Sequence, residues 1–292
     1  MSFFYKNRYW IGSGVLALVG LFLLTRKKMT GSLLGGVKAK DWSNDANFFV
    51  NSEGKNLEKL ADGVGINLKR NTGLNGTFKE DVYKSNKSNP KVFWAVYDID
   101  RNKLIASSSN GKENVYGASV PKVCVASAAF SNNNGRLPQD SDYQKVIKLL
   151  VKSDNNVWTY LQDLAGGRDA VNAWAGKMGY GFKPARNGGN SSNAVDMCKF
   201  WSDVCHNRFK GAENIFRISS SCQTSSSRSK KCMPSNVYLG GKTGTYADTN
   251  HDTCWVQVGD KFYSISVFTK LGGSGSEVIA QMFRGLYNEY IS

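Results

Sequence analysis

The stretch of sequence that decides the fold is residues 119–130, which read SVPKVCVASAAF. The apolar run predicts a helix, and Pro121 stands where a first helical turn accepts proline. A serine at a helix amino terminus lies in a field that favours developing negative charge, and a lysine three residues later projects from the same face. We therefore expect Ser119 to act as a nucleophile and Lys122 as the base that activates it.

Two further triplets follow this stretch in chain order. Ser153-Asp154-Asn155 stands at the start of a predicted helix, and Lys242-Thr243-Gly244 lies in a predicted strand. Each triplet alone is weak, because an N-cap and a Gly-rich turn explain them equally well. The Ser-x-x-Lys pattern alone is weaker still, since it occurs five times. The three motifs together, in this order and context, indicate one catalytic site.

On these motifs the chain resembles the penicillin-recognising serine enzymes, most closely the class A β-lactamase-like branch, from about residue 50 to the end. The resemblance implies a D-alanyl peptide of peptidoglycan or a β-lactam as substrate, with no cofactor and no metal. It also implies an oxyanion hole formed by the backbone N–H groups of Ser119 and Thr245. The implied roles are Ser119 as acylated nucleophile, Lys122 as base, Ser153 as proton shuttle, Lys242 as a source of positive potential, Asn155 as a ligand of substrate and Lys122, Gly244 as part of the binding strand, and Thr243 and Thr245 as carboxylate ligands.

One departure from the class A pattern concerns the release of the acyl group. Class A enzymes place a glutamate between the second and third motifs, where it activates water. Residues 180–193 read YGFKPARNGGNSSN and contain no Asp or Glu. Asn187 or Asn190 could hold a water but not take its proton. Unless Asp163 or Asp169 turns into the cleft, we expect slow deacylation.

The order of the predicted elements indicates an α+β fold with an antiparallel sheet built from both chain ends and a helical subdomain. Strands are expected at 92–98, 104–108, 238–245, 253–258 and 263–269, and helices at 57–68, 121–130, 143–151, 156–164, 168–178, 192–207 and 275–290. The segment 72–90 has the composition of a loop.

The amino-terminal end differs in composition from the rest of the chain. Residues 9–25 carry no charge and are followed by Arg26-Lys27-Lys28. This pattern predicts one transmembrane helix. A cleaved signal peptide and a buried core helix are the alternatives. We expect residues 1–28 to form a membrane anchor, 29–45 a tether, and 46–292 the β-lactamase-like serine hydrolase domain.

The side of the membrane on which the domain lies is indicated by two conflicting signals. The basic residues after the apolar run weakly favour an inward orientation. An even number of cysteines, with Cys222 and Cys232 bracketing a short polar loop, favours a disulfide in an oxidising compartment. Buried thiols are the alternative. We expect an extracytoplasmic domain, in the periplasm or at the cell surface.

Net charge and histidine content exclude several classes of protein. The formal net charge is +15, but the first 40 residues contribute +7 without any acid, which leaves +8 on the remainder. This mild excess, without basic runs interleaved with aromatics, does not indicate a nucleic-acid partner. His206 and His251 lie beside no serine motif, so we expect structural or surface roles and no Ser-His-Asp triad. Trp174, Trp201 and Trp255 are expected in the core.

The sequence leaves two functional hypotheses open. The first is a membrane-anchored serine acyl enzyme, and the second is a non-catalytic envelope or cell-wall-binding protein on the same fold. A lysine beside the nucleophile and another on the facing strand favour the enzyme, because burying ammonium groups is costly unless the site uses them.

Overall fold

The computed structural model describes residues 47–186 and 189–292 of the chain. Its α-helices are α1 (Leu57–Asp62), α2 (Glu80–Lys87), α3 (Lys122–Asn132), α4 (Asp140–Val151), α5 (Trp158–Leu164), α6 (Gly167–Lys177), α7 (Ala194–Cys205), α8 (Ala212–Ser219), α9 (Ser229–Cys232) and α10 (Gly275–Tyr290). Short 3-10 helices span Gln223–Ser227 and Gly272–Ser274. Its strands are β1 (Asn71–Thr72), β2 (Val92–Asp98), β3 (Lys103–Ser107), β4 (Val115–Tyr116), β5 (Ser191–Ser192), β6 (Tyr238–Tyr246), β7 (Thr249–Val258) and β8 (Lys261–Lys270).

The main sheet has six strands in the order β1-β6-β7-β8-β2-β3, with antiparallel pairing throughout. Strands from both ends of the chain therefore meet in one sheet, and the helices α3 to α8 lie between them in sequence. This arrangement confirms the predicted α+β fold with an antiparallel sheet built from both chain ends and a helical subdomain.

Strand β2 shows why the sheet is covered on both faces. Its sequence VFWAVYD is apolar almost without interruption, as expected for a strand buried on both sides. Phe93, Ala95 and Tyr97 join the core formed with the helical subdomain. Val92, Trp94 and Val96 point the other way, into a second core that contains apolar side chains of α10. The result is a helix–sheet–helix sandwich.

The loop predicted at 72–90 is wrong over Glu80–Lys87, which form helix α2. Only Tyr83 of this helix is buried, so the sequence lacks the apolar periodicity that indicates a helix. Tyr83 packs against α10, where a Cβ on Gly285 would lie 2.3 Å from the tyrosine ring. The glycine lets the two helices approach, and this contact between distant residues holds α2 in place.

The disulfide expected between Cys222 and Cys232 is not formed. All six cysteines are buried thiols. The chain between the two residues is not an open loop, because it folds into a 3-10 helix followed by α9. The Cys232 Sγ contacts the carbonyl oxygen of Thr77 at 3.4 Å. The alternative of buried thiols is therefore correct.

The predicted membrane anchor and tether lie outside the described residues. Within 47–186 and 189–292, the helices are too short or too polar to cross a bilayer. The boundaries proposed for the anchor, the tether and the domain stay predictions.

Candidate active site

The nucleophile candidate Ser119 lies in a turn directly before helix α3. The preceding residue, Ala118, adopts a left-handed conformation with φ of 50°, which costs free energy for a residue with a Cβ and marks a constrained turn. The backbone N–H of Lys122 donates to the carbonyl of Ser119 at 3.3 Å. Ser119 is half-buried and lines a cavity of about 370 Å³. The sequence prediction that Ser119 stands at a helix amino terminus is confirmed.

Lys122 is fully buried beneath this turn. Its Nζ contacts the carbonyl oxygen of Ser153 and the Oδ1 of Asn155, both at 2.6 Å, and the Oγ of Ser153 at 3.2 Å. A carbonyl oxygen only accepts hydrogen bonds, whereas a hydroxyl also donates. The Lys122 Nζ donates to all three oxygens, and the Ser153 hydroxyl is the partner among them that can also donate in return.

Ser153 is held where it joins the two lysines. It follows the end of α4 and has a left-handed conformation with φ of 57°, which turns the chain away from the helix axis. Its Oγ lies 3.0 Å from the Nζ of Lys242, which also donates to the carbonyl of Thr243 at 3.0 Å. The Ser153 Oγ therefore accepts hydrogen bonds from both Lys122 and Lys242. We call Ser119, Lys122, Ser153 and Lys242 the acylation group.

The electrostatics of the acylation group favour a neutral base. Burial, and after it the positive charge of Lys242, lowers the pKa of Lys122 to about 7. Burial also lowers the pKa of Lys242, which is fully enclosed in the sheet. An ammonium loses free energy when it leaves water, and two such groups close together repel each other. A substantial fraction of Lys122 is thus unprotonated near neutral pH.

Strand β6 brings the third motif against the nucleophile turn. A Cβ added to Gly244 would lie 3.0 Å from both the carbonyl oxygen of Gly117 and the backbone nitrogen of Ser119. A side chain here would force the neighbouring backbone to shift by a few tenths of an ångström, so a glycine favours this close approach. Thr245 follows on the same strand and lines the cavity. Thr243 is buried beside β7 and is not one of the lining residues, so of the two expected carboxylate ligands the cavity exposes Thr245.

Arg228 is a buried cation that was not predicted from the sequence. Its Nη1 donates to the carbonyls of Gly244 and His251 at 3.0 and 2.8 Å, and its Nη2 donates to Thr245 Oγ1 and Asn250 Oδ1. It therefore supplies positive charge directly behind Thr245. The only local signal is a basic residue in a Ser-rich loop, and this signal does not separate a buried arginine from an exposed one.

A second part of the cavity lining consists of four residues, which we call the release wall: Trp158, Arg186, Gly189 and Asn190. Strands β4 and β5 pair next to it, and the Asn190 Nδ2 donates to the carbonyl of Ala118 at 3.3 Å. The Asn190 Oδ1 is buried and has no hydrogen-bond partner. This wall carries an amide oxygen and a guanidinium close to the nucleophile.

No carboxylate is among the described residues that line the cavity. Asp163 and Asp169, the two acids that could have substituted for the missing glutamate, are exposed and lie outside the lining. Asn187, the other expected water ligand, lies outside the described residues. Slow release of the acyl group stays a prediction.

The two histidines have structural surroundings. His251 is fully buried and its Nε2 lies 2.8 Å from the carbonyl of Tyr116. Burial lowers its pKa to about 4, so it is neutral at physiological pH. His206 contacts the carbonyl of Ser202 at the end of α7. The described part of the chain holds no cluster of metal-binding side chains.

The aromatic residues divide between the core and the cavity mouth. As expected, three tryptophans are buried in the core: Trp174, Trp201 and Trp255. Tyr116 and Tyr246 were not expected at the site, but both line the cavity, with ring centroids 5.3 Å apart. They are exposed aromatic side chains that frame its entrance.

Comparisons with known proteins identify the family of the chain and its fold. A model of the "Beta-lactamase enzyme family" matches residues 135–290, which is more than half of the chain. This region contains the second and third motifs and begins after Ser119 and Lys122. No curated protein matches the sequence.

Solved structures show the same fold at low sequence identity. A beta-lactamase from Chitinophaga pinensis is 17% identical with a TM-score of 0.60, covering 72% of this chain and 96% of its own. A class A beta-lactamase from Bacteroides cellulosilyticus is 17% identical with a TM-score of 0.59, covering 72% and 94%. A PBP-A mutant in an acyl-enzyme complex with penicillin G is 16% identical with a TM-score of 0.60, covering 72% of this chain and 94% of its own.

The match of the family model over more than half of the chain shows the family. The chain belongs to the beta-lactamase enzyme family and is a serine hydrolase of the penicillin-recognising type.

Proposed function

We propose that the protein is an active-site-serine acyl enzyme that acts on β-lactams or on D-alanyl peptides of peptidoglycan. The observation that carries this proposal is the Ser153 hydroxyl, which lies within 3.2 Å of Lys122 Nζ and 3.0 Å of Lys242 Nζ. Two buried lysines that meet at one hydroxyl are costly for folding alone. This arrangement favours catalysis over the alternative of a non-catalytic wall-binding protein.

In the proposed acylation step, the Ser119 Oγ attacks the carbonyl carbon of the substrate amide. Lys122 takes the hydroxyl proton, a carbon–oxygen ester bond forms, and the carbon–nitrogen bond breaks. The proton passes through Ser153 to the leaving nitrogen. The backbone N–H groups of Ser119 and Thr245 stabilise the oxyanion. In a β-lactam the leaving nitrogen stays attached through the ring, and in a peptide it departs as an amine.

Substrate orientation is assigned to the β6 side of the cavity. Thr245 is placed to bind the carboxylate that both substrate classes carry next to the scissile bond, and the Arg228 guanidinium, which donates to protein oxygens, adds positive charge behind it. Lys242 adds positive potential. Asn155 lines the cavity and accepts from Lys122, so its amide nitrogen is left to face substrate.

We propose slow release of the acyl group. Hydrolysis of the ester needs a base that removes a proton from water, and the described lining residues offer the Asn190 amide rather than a carboxylate. The acyl-enzyme should therefore persist, as expected of a penicillin-binding protein rather than of a resistance enzyme.

We also propose that residues 9–25 anchor the protein in the membrane and that residues 29–45 form a tether. The domain from residue 46 to 292 then lies outside the cytoplasm. The uncharged run and its basic flank support the anchor. Protease treatment of cells whose outer layers are permeabilised but whose cytoplasmic membrane is intact tests the orientation. Cleavage of the domain is expected, and full protection until the cytoplasmic membrane is lysed would contradict an extracytoplasmic domain.

Intact-mass spectrometry after incubation with benzylpenicillin tests the acyl chemistry. We expect a mass increase of one penicillin in the parental protein and none in Ser119→Ala. A matched control is Ser127→Ala, since Ser127 lies on α3 but donates to the carbonyl of Val123 inside the core. An adduct that persists in Ser119→Ala would contradict the assignment of the nucleophile.

A further inference from the structure

Arg186 is a cation on the release wall that the proposed acylation step does not use. It lines the cavity together with Ser119 and Asn155 and is half-buried. Among residues 47–186 and 189–292, no carboxylate forms an ion pair with it. A guanidinium without an acidic partner, on the wall of a catalytic cavity, is a ready binding group for an anion.

The guanidinium of Arg186 is held in place by its neighbours. Its Nη1 donates to the carbonyl of Asn155 at 3.1 Å and to Thr159 Oγ1 at 3.2 Å. Its guanidinium carbon lies 5.6 Å from the ring centroid of Trp158, and its backbone N–H donates to Gln162 Oε1 at 2.7 Å. These contacts engage the Nη1 end of a group that has five N–H donors. The donors that remain are positioned at low entropic cost.

The charges around the cavity add to this preference. Arg186 is the charged side chain among the described lining residues, while Lys122, Lys242 and Arg228 lie behind them. One carboxylate of the substrate is assigned to Thr245 on the β6 side, with the positive charge of Arg228 behind it. The Arg186 cation lies on a different wall and is free to bind a second one.

We propose that Arg186 binds a carboxylate on the acyl part of the substrate, so that the preferred acyl donor carries one carboxylate on each side of the scissile bond. This inference rests on the proposed Ser119 acyl chemistry and names the substrate class for it. The second carboxylate belongs to the side chain next to the attacked carbonyl, since the release wall lies beside the nucleophile turn through Asn190 and Ala118.

A purely structural role for Arg186 predicts a different outcome. Its hydrogen bond to the Asn155 carbonyl ties the release wall to the second motif, and loss of that tie would slow acylation by every substrate to the same extent. A binding role lowers acylation only for donors that carry the second carboxylate. The two roles are therefore distinguished by the ratio of the acylation rate constants of two substrates, rather than by the rate with one substrate.

Carbenicillin and benzylpenicillin provide this ratio, because they differ by one carboxylate on the acyl side chain. We expect the parental protein to be acylated more efficiently by carbenicillin. In Arg186→Gln the ratio of the two second-order acylation constants should fall about tenfold, the value expected for losing one charge-assisted hydrogen bond. Lys183→Gln is the matched control, since it removes an exposed cation of the same segment that does not line the cavity.

The outcomes separate this inference from the proposed function. A ratio that falls in Arg186→Gln and stays unchanged in Lys183→Gln supports carboxylate binding. Acylation by both penicillins with the same ratio in all three proteins overturns the role of Arg186 and leaves the acyl chemistry intact. Failure of both penicillins to acylate the parental protein overturns the proposed function and this inference together.

Discussion

The acylation group and the release wall lie in one cavity but offer opposite chemistry. Lys122, Ser153 and Lys242 are joined by hydrogen bonds next to the nucleophile, and burial gives Lys122 a pKa of about 7. The release wall presents an indole, a guanidinium, a glycine and an amide to the same space. The difference teaches that forming and hydrolysing an acyl-enzyme depend on separate groups, and among the described lining residues the proposed acylation group stands without a carboxylate that could activate water.

Removal of the base should have the largest effect on this contrast. In Lys122→Ala we expect acylation to slow by about a hundredfold or more, because proton transfer by a positioned base contributes at least that much. Time-resolved mass spectrometry with a penicillin measures it. Lys152→Ala is the control, since this exposed lysine lies beside Ser153. Parental acylation by Lys122→Ala would show that another group is the base.

The pH dependence of acylation tests the protonation state of the same lysine. Because the pKa of Lys122 is lowered to about 7, the neutral amine is scarce at pH 6 and dominant at pH 8. The acylation rate should therefore rise about tenfold between these pH values, as the titration of one group requires. In Lys242→Met, the loss of the neighbouring charge should move the midpoint to higher pH. A flat profile would contradict a titrating base.

A carboxylate placed on the release wall should give this region a base for hydrolysis of the acyl-enzyme. Gly189 has φ of +72° and open space where a Cβ would stand, and Asp tolerates this conformation better than most residues. In Gly189→Asp we expect steady-state β-lactam hydrolysis to rise about fivefold, less than with an optimally positioned base. Gly189→Asn changes the backbone equally but adds no base. An equal gain in both variants would show that the carboxylate is not responsible.

The smallest expected effect is on the free energy of unfolding, which the burial of Lys242 lowers. Burial lowers the pKa of Lys242, so enclosing its charged form destabilises the fold. In Lys242→Met we expect a gain of about 1 kcal/mol, which corresponds to about 2–4 °C in Tm. Differential scanning calorimetry at neutral pH measures it, with the exposed Lys152→Met as control. A lower Tm would show that the hydrogen bonds of Lys242 outweigh its desolvation.

The parts of the molecule that the sequence predicts well are those with contiguous signals. Patterns of apolar residues predicted strands such as β2 and also the long helix α10. Three short motifs pointed to Ser119, Ser153 and Lys242 as candidate site residues. Each motif carries its own chemistry and local conformation, so it is recognised without knowledge of its neighbours.

The parts that the sequence did not predict depend on contacts between distant residues. Helix α2 packs through the single buried Tyr83, so its periodicity is weak. Arg228 acquires its role because β6 and β7 surround it, and Arg186 because it reaches Asn155. The disulfide prediction was wrong because sequence spacing says nothing of the helices that fill the interval between Cys222 and Cys232.

The central claim is that the site supports acylation of Ser119 but not rapid release of the acyl group. Stopped-flow kinetics with a chromogenic cephalosporin tests this claim most directly. We predict a burst of ring opening that equals one equivalent of enzyme, followed by a steady state far below the median enzyme rate of about 10 per second. The burst should be lost in Ser119→Ala. Sustained turnover near or above about 10 per second, without a burst, would contradict the claim and show that the release wall acquires a base during the reaction.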